Sequence, residues 1–346
     1  MLWYIAKRLA LLIPTLFGIV ALNFFLIQLS PGGPVEQVIS KLESTYASEA
    51  QAGLKARDYK ASRGVPEGLI TELEAQYGFD KPILERFALL VKSYVCFDLG
   101  TSYYRKIAVW DLIIEKLPVS ISLGVFSTLF IYLLSIPLGI YKTRHNGSLL
   151  DSASSFVIIV CNAVPPFLFA VVGIVLFASV WQIFPLRGLV SDEFDSLSTM
   201  GKLLDYLHHL CLPVLCLSLG SLAWLTILSK HSFLDELHKP YVLTARAKGA
   251  RESRILYHHV FRNAMLLVIA SFPGAFLGMF LGGSLLIETL FSLDGLGLLG
   301  YESIVSRDYP VVFGTLYIFT LFALIVGIIN DIVYMLIDPR IHFDTR

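Results

Sequence analysis

The chain has 346 residues, of which 55% are hydrophobic and only 16% charged, and its mean hydropathy is +0.70. A soluble domain carries about 25% charged residues, so the composition excludes an ordinary globular protein and points to several membrane crossings. The 27 basic and 27 acidic side chains cancel, which leaves no overall field to draw in nucleic acid. The four cysteines, Cys96, Cys161, Cys211 and Cys216, fit neither a metal-ligand spacing nor a disulfide framework.

A bilayer core about 30 Å thick needs about 20 apolar residues per helix. Six runs meet that length: Leu9 to Leu29, Leu117 to Tyr141, Ala153 to Phe184, Leu210 to Ser229, Ala264 to Ile287 and Val311 to Ile337. The first follows Lys7 and Arg8. It exceeds the apolar stretch of about 7–15 residues found in a cleavable leader and is read as a retained anchor. Ser30-Pro31-Gly32-Gly33-Pro34 then ends the helix, because proline and glycine do not continue it. Residues 40–66 are polar, and residues 67–95 repeat apolar side chains every three or four positions, which predicts helix. The expectation for residues 30–116 is a small, mainly helical lobe.

The third run contains Pro165-Pro166, which removes an intrahelical hydrogen bond and predicts a kink. In the fifth, Gly274, Gly278 and Gly282 fall on one helix face. Small residues at that spacing let backbones approach, either within the chain or on a pore-lining or subunit-facing surface. Asn23, Asn162 and Asn330 read as buried amides joining helices, while Glu288 and Asp331 are expected near span ends, within reach of water. The predicted organisation is an N-terminal span (1–29), the lobe (30–116), a five-helix core (117–337) containing a polar loop at 230–263, and a charged tail (338–346).

Basic residues orient the spans. The N-terminus, loop 142–152, loop 230–263 and the C-terminus carry most of the short-segment lysines and arginines; loops 185–209 and 288–310 carry only Arg187, Lys202 and Arg307. The prediction is a multi-pass inner-membrane protein with both termini in the cytoplasm and the lobe outside. No phosphate-binding G-x-x-x-x-G-K-[ST], no H-E-x-x-H and no G-x-S-x-G occurs. The pairs His208-His209 and His258-His259 would point about 100° apart on a helix, a poor arrangement for two-point metal binding. The expectation is no catalytic residue and no metal site, and the sequence identifies no substrate contact.

Loop 230–263 differs in kind from a merely solvated basic loop. Ala245, Ala247, Gly249 and Ala250 keep its centre slim, and Arg246, Lys248, Arg251 and Arg254 surround it with positive charge. A slim basic helix suits insertion into a cleft with acidic walls on a partner. The segment Tyr241 to Gly249 resembles the cytoplasmic coupling loop of the peptide-type permeases of ATP-binding-cassette importers. The likeness continues through His259 to Ala264, Gly283 to Phe291, Gly295-Leu296-Gly297, Ser306 to Pro310 and Asp338 to Ile341. Upstream it includes Ser30 to Pro34, Tyr77 to Pro82 and Phe97 to Gly100. Within the family it is most similar to the YejB-type branch, linked to import of microcin C and related peptides. That likeness rests on Gly33 to Gln37, Phe184 to Ser191, Ser232 to Glu236 and Gly297 to Glu302. Leu243 departs from the glutamate common in the coupling motif, and Leu267 from a proline common after it.

The resemblance implies an all-α membrane protein of six transmembrane helices with the type I importer permease fold. It implies a second homologous permease, two ATP-binding subunits that hold ATP and magnesium, an extracytoplasmic peptide-binding protein, a peptide substrate and a lipid surround. This chain would bind no cofactor. Thr244, Ala245, Arg246, Ala247, Lys248, Gly249, Arg251 and Arg254 would form the ATPase-coupling element. The competing expectation, an ion-coupled secondary transporter, requires ionisable residues deep in several spans, and these runs are almost free of charge.

Overall fold

The computed structural model describes residues 2–29, 81–278 and 285–337. Among them, helix accounts for all regular structure apart from one isolated bridge between Thr101 and Ala108. The helices are α1 (Leu2–Leu29), α2 (Ile83–Val95), α3 (Val109–Arg144), α4 (Leu149–Ala163), α5 (Pro166–Gly173), α6 (Thr199–Leu237), α7 (Pro240–Ala247), α8 (Glu252–Leu277), α9 (Leu285–Leu290), α10 (Leu296–Ser306) and α11 (Tyr309–Ile337). Helix α5 continues into a π-helical stretch, Ile174–Val180, and α8 passes through another at Ile255–Val260.

Among the described residues, five helices are long and apolar enough to cross a membrane, and α4 with α5 and its π-helical continuation makes a sixth crossing if that bent pair is one span. Each of the six predicted runs falls largely on helix among the described residues; the third breaks at Val164–Pro165, and residues 279–284 of the fifth lie outside the described residues. The third is bent by 96°, for the reason its prolines gave. Val164, preceding a proline, is pushed into an extended conformation (φ −87°, ψ 125°), and Pro166 starts the next helix at its first turn. Several helices overrun their apolar runs, α6 the furthest. At 1.5 Å per residue the 39-residue α6 is about 58 Å long, nearly twice the hydrocarbon thickness. The apolar run ended at Ser229, yet the helix continues through Lys230 to Leu237, because leaving the membrane gives a helix no reason to stop.

The chain divides into two compact units. One comprises the described residues of Leu2–Ile113 and Glu302–Leu321. Here Phe24 packs on Phe87 with ring centroids 5.3 Å apart, and Tyr94 meets Tyr317 edge-on at 5.1 Å. Asp308 accepts hydrogen bonds from the Ser102 hydroxyl and the Tyr103 amide. Asn23 is buried, as expected, and has no hydrogen-bond partner among the described residues. Of the predicted lobe, residues 30–80 lie outside the described residues; α2 carries the end of the helical pattern.

The other unit comprises the described residues of Ile114–Tyr301 and Phe322–Arg346. One core joins α3, α5, α6 and α9 through Leu123, Ala170, Leu212, Leu217, Ile287 and Phe291. A second core, at the far end of α6, gathers Ile140 of α3, Phe233 of α6, Val242 of α7 and Ile255, Leu256, Val260 and Ala264 of α8. Two expectations are corrected here. Asn162 is exposed rather than buried. Glu288 is fully buried instead of wetted: it accepts from the Leu298 amide at 2.7 Å and lies against Gly295, whose absent Cβ leaves the carboxylate room.

Candidate functional site

The predicted basic loop is two helix ends joined by one short helix. Lys239 takes an extended conformation and Pro240 starts α7 at its first position, where a missing amide hydrogen costs nothing. The helix stops at a glycine turn. Gly249 has φ +75°, its amide donates to the Arg246 carbonyl (2.9 Å), and the Ala250 amide donates to the Ala245 carbonyl (3.1 Å). These two bonds make a Schellman cap, which needs a left-handed residue and so favours glycine.

The inner face of α7 is fixed by packing. Val242 is fully buried, and Tyr241, Ala245 and Ala250 pack on the same core as Phe233 and Ile255. Full burial of a valine side chain contributes about 1.5–3 kcal/mol. The Tyr241 hydroxyl donates to Glu236 at 2.6 Å and accepts from the Asn263 amide at 3.3 Å. Burial, and then the carboxylate it donates to, push that hydroxyl up to about 12. The tyrosine is therefore neutral at physiological pH.

The outer face presents Leu243, Thr244, Ala247 and Lys248, all exposed. Thr244 bonds back to the Pro240 carbonyl. Arg246 is not a free cation: it forms a bidentate pair with Glu252 (2.7 and 3.1 Å), bridging the glycine turn. Beyond the turn lies an open cavity of about 560 Å³ lined by Gly249, Ala250, Arg251, Ser253, Arg254, Tyr257 and His258. Arg144 stacks over the Tyr257 ring at 5.4 Å.

The structure thus brings Thr244, Ala245, Arg246, Ala247, Lys248, Gly249, Arg251 and Arg254 together on one end of the larger unit. The small residues divide between faces: Ala245 and Ala250 turn inward, while Ala247 and Gly249 are exposed. Of the glycine stripe, Gly282 lies outside the described residues. A Cβ on Gly274 or Gly278 would meet nothing within 4 Å. No group of three or more His, Cys, Asp or Glu among the described residues is arranged to hold a metal.

Sequence reasoning missed a buried ionic group that joins α3, α4 and α6. Asp151, 6% exposed, pairs with Lys142 at 2.9 Å and with Lys230 at 2.7 Å. Both lysines had been counted only as loop charges. The available signal was Ser148 followed by Asp151: the Ser148 hydroxyl accepts from the Asp151 amide, a cap that holds the carboxylate at the first turn of α4.

Comparison with known proteins gives consistent results. Residues 135–343 match the family described as "Binding-protein-dependent transport system inner membrane component". The Escherichia coli O157:H7 "Inner membrane ABC transporter permease protein YejB" is 54% identical, with 99% of each chain covered. The Agrobacterium fabrum "Peptidoglycan transport system permease protein YejB" is 52% identical over the same shares. The Bacillus subtilis "Oligopeptide transport system permease protein AppB" is 32% identical, covering 98% of this chain and 99% of the relative. Among solved structures, an inward-facing MetNI methionine ABC transporter chain aligns with TM-score 0.52 at 14% identity, covering 66% of this chain and 97% of that one. That last likeness concerns the fold alone.

Proposed function

The chain belongs to the family of binding-protein-dependent transport system inner membrane components, in its YejB-type branch, and on that premise we propose how its geometry serves the ATP-driven import of peptides. It is a permease subunit of an ATP-binding-cassette importer. Peptides and peptide-like compounds are the cargo class that fits its relatives, whose names specify oligopeptides in one case and peptidoglycan in another. Both cargoes carry a peptide chain; microcin C, which the sequence resemblance includes, is of the same chemistry. Family membership favours this reading over an ion-coupled transporter.

Helix α7 is the element that docks on an ATP-hydrolysing partner. The observation that carries this is the combination of a rigid inner face with a slim exposed outer one. The Leu243–Ala247 ridge inserts, and the basic cavity at Arg251, Arg254 and His258 receives an acidic group from the partner. ATP and magnesium stay on that partner, and this chain contributes no catalytic group. The complete machine has a second permease, two ATP-binding subunits and an external binding protein. The basic face, with both chain termini, lies in the cytoplasm. Gly274 and Gly278 face the second permease or the translocation path, a role favoured by the empty space beside them; Gly282, outside the described residues, shares their four-residue spacing in the sequence.

The test is Gly249→Asp in the complete complex, with Gly249→Asn as control. Both residues tolerate a left-handed conformation better than most, so the pair isolates the negative charge. The expected result is normal membrane insertion for both, near-normal uptake of labelled peptide for Asn, and loss of ATP-dependent uptake for Asp. Wild-type uptake by Gly249→Asp at equal protein levels would remove α7 as the docking element.

A further inference from the structure

We propose that Asp151 is a positioning residue for coupled transport: its carboxylate locks α3, α4 and α6 into one body, so that a displacement of α7 reaches the bent α4–α5 span. The proposal rests on the reading of α7 as the docking helix and adds to it the route by which motion leaves that helix.

The contacts fall into two sets with different reach. Lys142 of α3 lies only nine residues from Asp151. Its ammonium donates to the Asp151 carbonyl (2.9 Å) and the hydroxyls of Ser154 (2.7 Å) and Ser155 (2.9 Å), and it forms an ion pair with an Asp151 carboxylate oxygen at 2.9 Å. This set closes the α3–α4 corner on itself. Lys230 lies 79 residues from Asp151 and straddles both carboxylate oxygens, at 3.0 and 2.7 Å. It ties that corner to α6.

Two further observations make the tie stiff. Thr143 donates to the Lys230 carbonyl at 3.3 Å, and a Cβ on Gly139 would lie 2.5 Å from Ser229 Cβ. The α3 and α6 backbones are therefore in direct contact beside the ion group. Helix α6 then runs unbroken from Lys230 to Leu237, ending just before α7 begins at Pro240. Past the bend, Gly173 of α5 sits against Cys216 and Leu212 of the same helix, where a Cβ would meet them at 3.2 and 3.3 Å. The bent span is thus joined to α6 at both ends, and α6 is joined to α7. Charge does the locking at short range: Asp151 is 6% and Lys142 3% exposed, and the Lys230 side chain is 14% exposed. Sliding α6 away from the corner would break both charge-assisted hydrogen bonds from Lys230 to this buried carboxylate at once, which resists the movement.

The experiment uses the complete complex in proteoliposomes and measures peptide accumulated per ATP hydrolysed. In Lys230→Met, Asp151 keeps Lys142 and the Gly147 amide, so the corner stays charge-balanced. Assembly and ATPase activity should survive while peptide moved per ATP falls at least about fivefold, the lower end of usual coupling factors. Lys230→Arg, which keeps a cation in reach, should restore most of the ratio. An unchanged ratio in Lys230→Met overturns the proposal. If Lys230→Met fails to assemble, Lys142→Gln/Asp151→Asn/Lys230→Met removes the tie and leaves no buried charge behind. Failure of that variant to assemble also overturns the proposal. Uncoupling by Gly249→Asp without uncoupling by Lys230→Met would sink the lock alone; coupled transport in Gly249→Asp would sink the docking reading beneath it.

Discussion

Gly139→Ala adds one methyl group where α3 crosses α6, and the structure allows its effect to be worked out. The added carbon would stand 2.5 Å from Ser229 Cβ, 3.1 Å from the Lys230 amide nitrogen and 3.2 Å from the Thr226 carbonyl oxygen. Carbon atoms rest at about 3.5–4.0 Å, so the two helices must part by roughly 1 Å. None of the three obstructing atoms is the free end of a flexible side chain. Overpacking of this kind costs about 1–3 kcal/mol. Alanine recovers about 0.8–1.0 kcal/mol of helix propensity relative to glycine, so the net loss of stability is about 0–2 kcal/mol. The local loss is larger than the global one. The Thr143–Lys230 hydrogen bond is already 3.3 Å long, and a further 1 Å ends it. The expected outcome is a protein that still assembles, melts at the same or a slightly lower temperature, and moves less peptide per ATP. Ser229→Gly, which removes the nearest obstructing atom, should partly restore the ratio in the double variant. The checks are thermal unfolding in detergent and paired uptake and ATPase measurements in proteoliposomes. A rise in melting temperature with unchanged coupling would show that the helices are not in backbone contact at Gly139, and the argument would fall.

Two further outcomes are expected. Tyr241→Phe removes the hydroxyl that joins Glu236 to Asn263 and should cost about 0.5–1.5 kcal/mol, measured by unfolding. The sign follows from the raised value of about 12 against an ordinary 10.0: the fold favours the neutral phenol, that stabilisation is complete below the ordinary value, and it is lost only at higher pH. The effect of the substitution should therefore be constant from about pH 6 to 9. For orientation, a single cysteine at Ala247 should react with an impermeant thiol reagent only after the membrane is opened, and one at Thr101 in intact spheroplasts; the reverse pattern would invert the topology. Thr101 serves better than Ser102, which is 1% exposed and bonded to Asp308.

The spans were legible because hydropathy is a bulk property: a run such as Val311 to Ile337 has no soluble alternative of comparable stability. The bend at Val164 was legible because proline acts on its immediate neighbours. What escaped was every feature set by where a side chain meets another helix. Lys142 and Lys230 looked like loop charges, since the apolar runs ended beside them, but both sit on helices that outlast those runs. Glu288 looked wet because a carboxylate ordinarily is. Its burial depends on the Leu298 amide and on the bare Cα of Gly295, seven residues away, a cradle that no periodicity reveals. The coupling loop was read as slim and basic, yet one of its arginines, Arg246, is spent on Glu252, a pairing that appears only once the Gly249 turn brings the two together.

That turn also accounts for the loop's small residues, which positive charge alone does not require. A helix that fits between its own subunit and a second protein needs to be slim on both sides. Ala245 and Ala250 satisfy the inner side, where Val242 and Ile255 leave no room. Ala247 and Gly249 satisfy the outer. A lever of this kind works only if it is stiff before it is pushed, because ordering a flexible segment on docking subtracts from the available binding energy. The Pro240 start, the two Schellman bonds, the Arg246–Glu252 pair and the Tyr241–Glu236 bond each remove a freedom from α7 before any partner arrives. If α7 docks as proposed, the outer residues are left with complementarity as their task, and on that reading a single charge at Gly249 is expected to abolish transport without unfolding the chain.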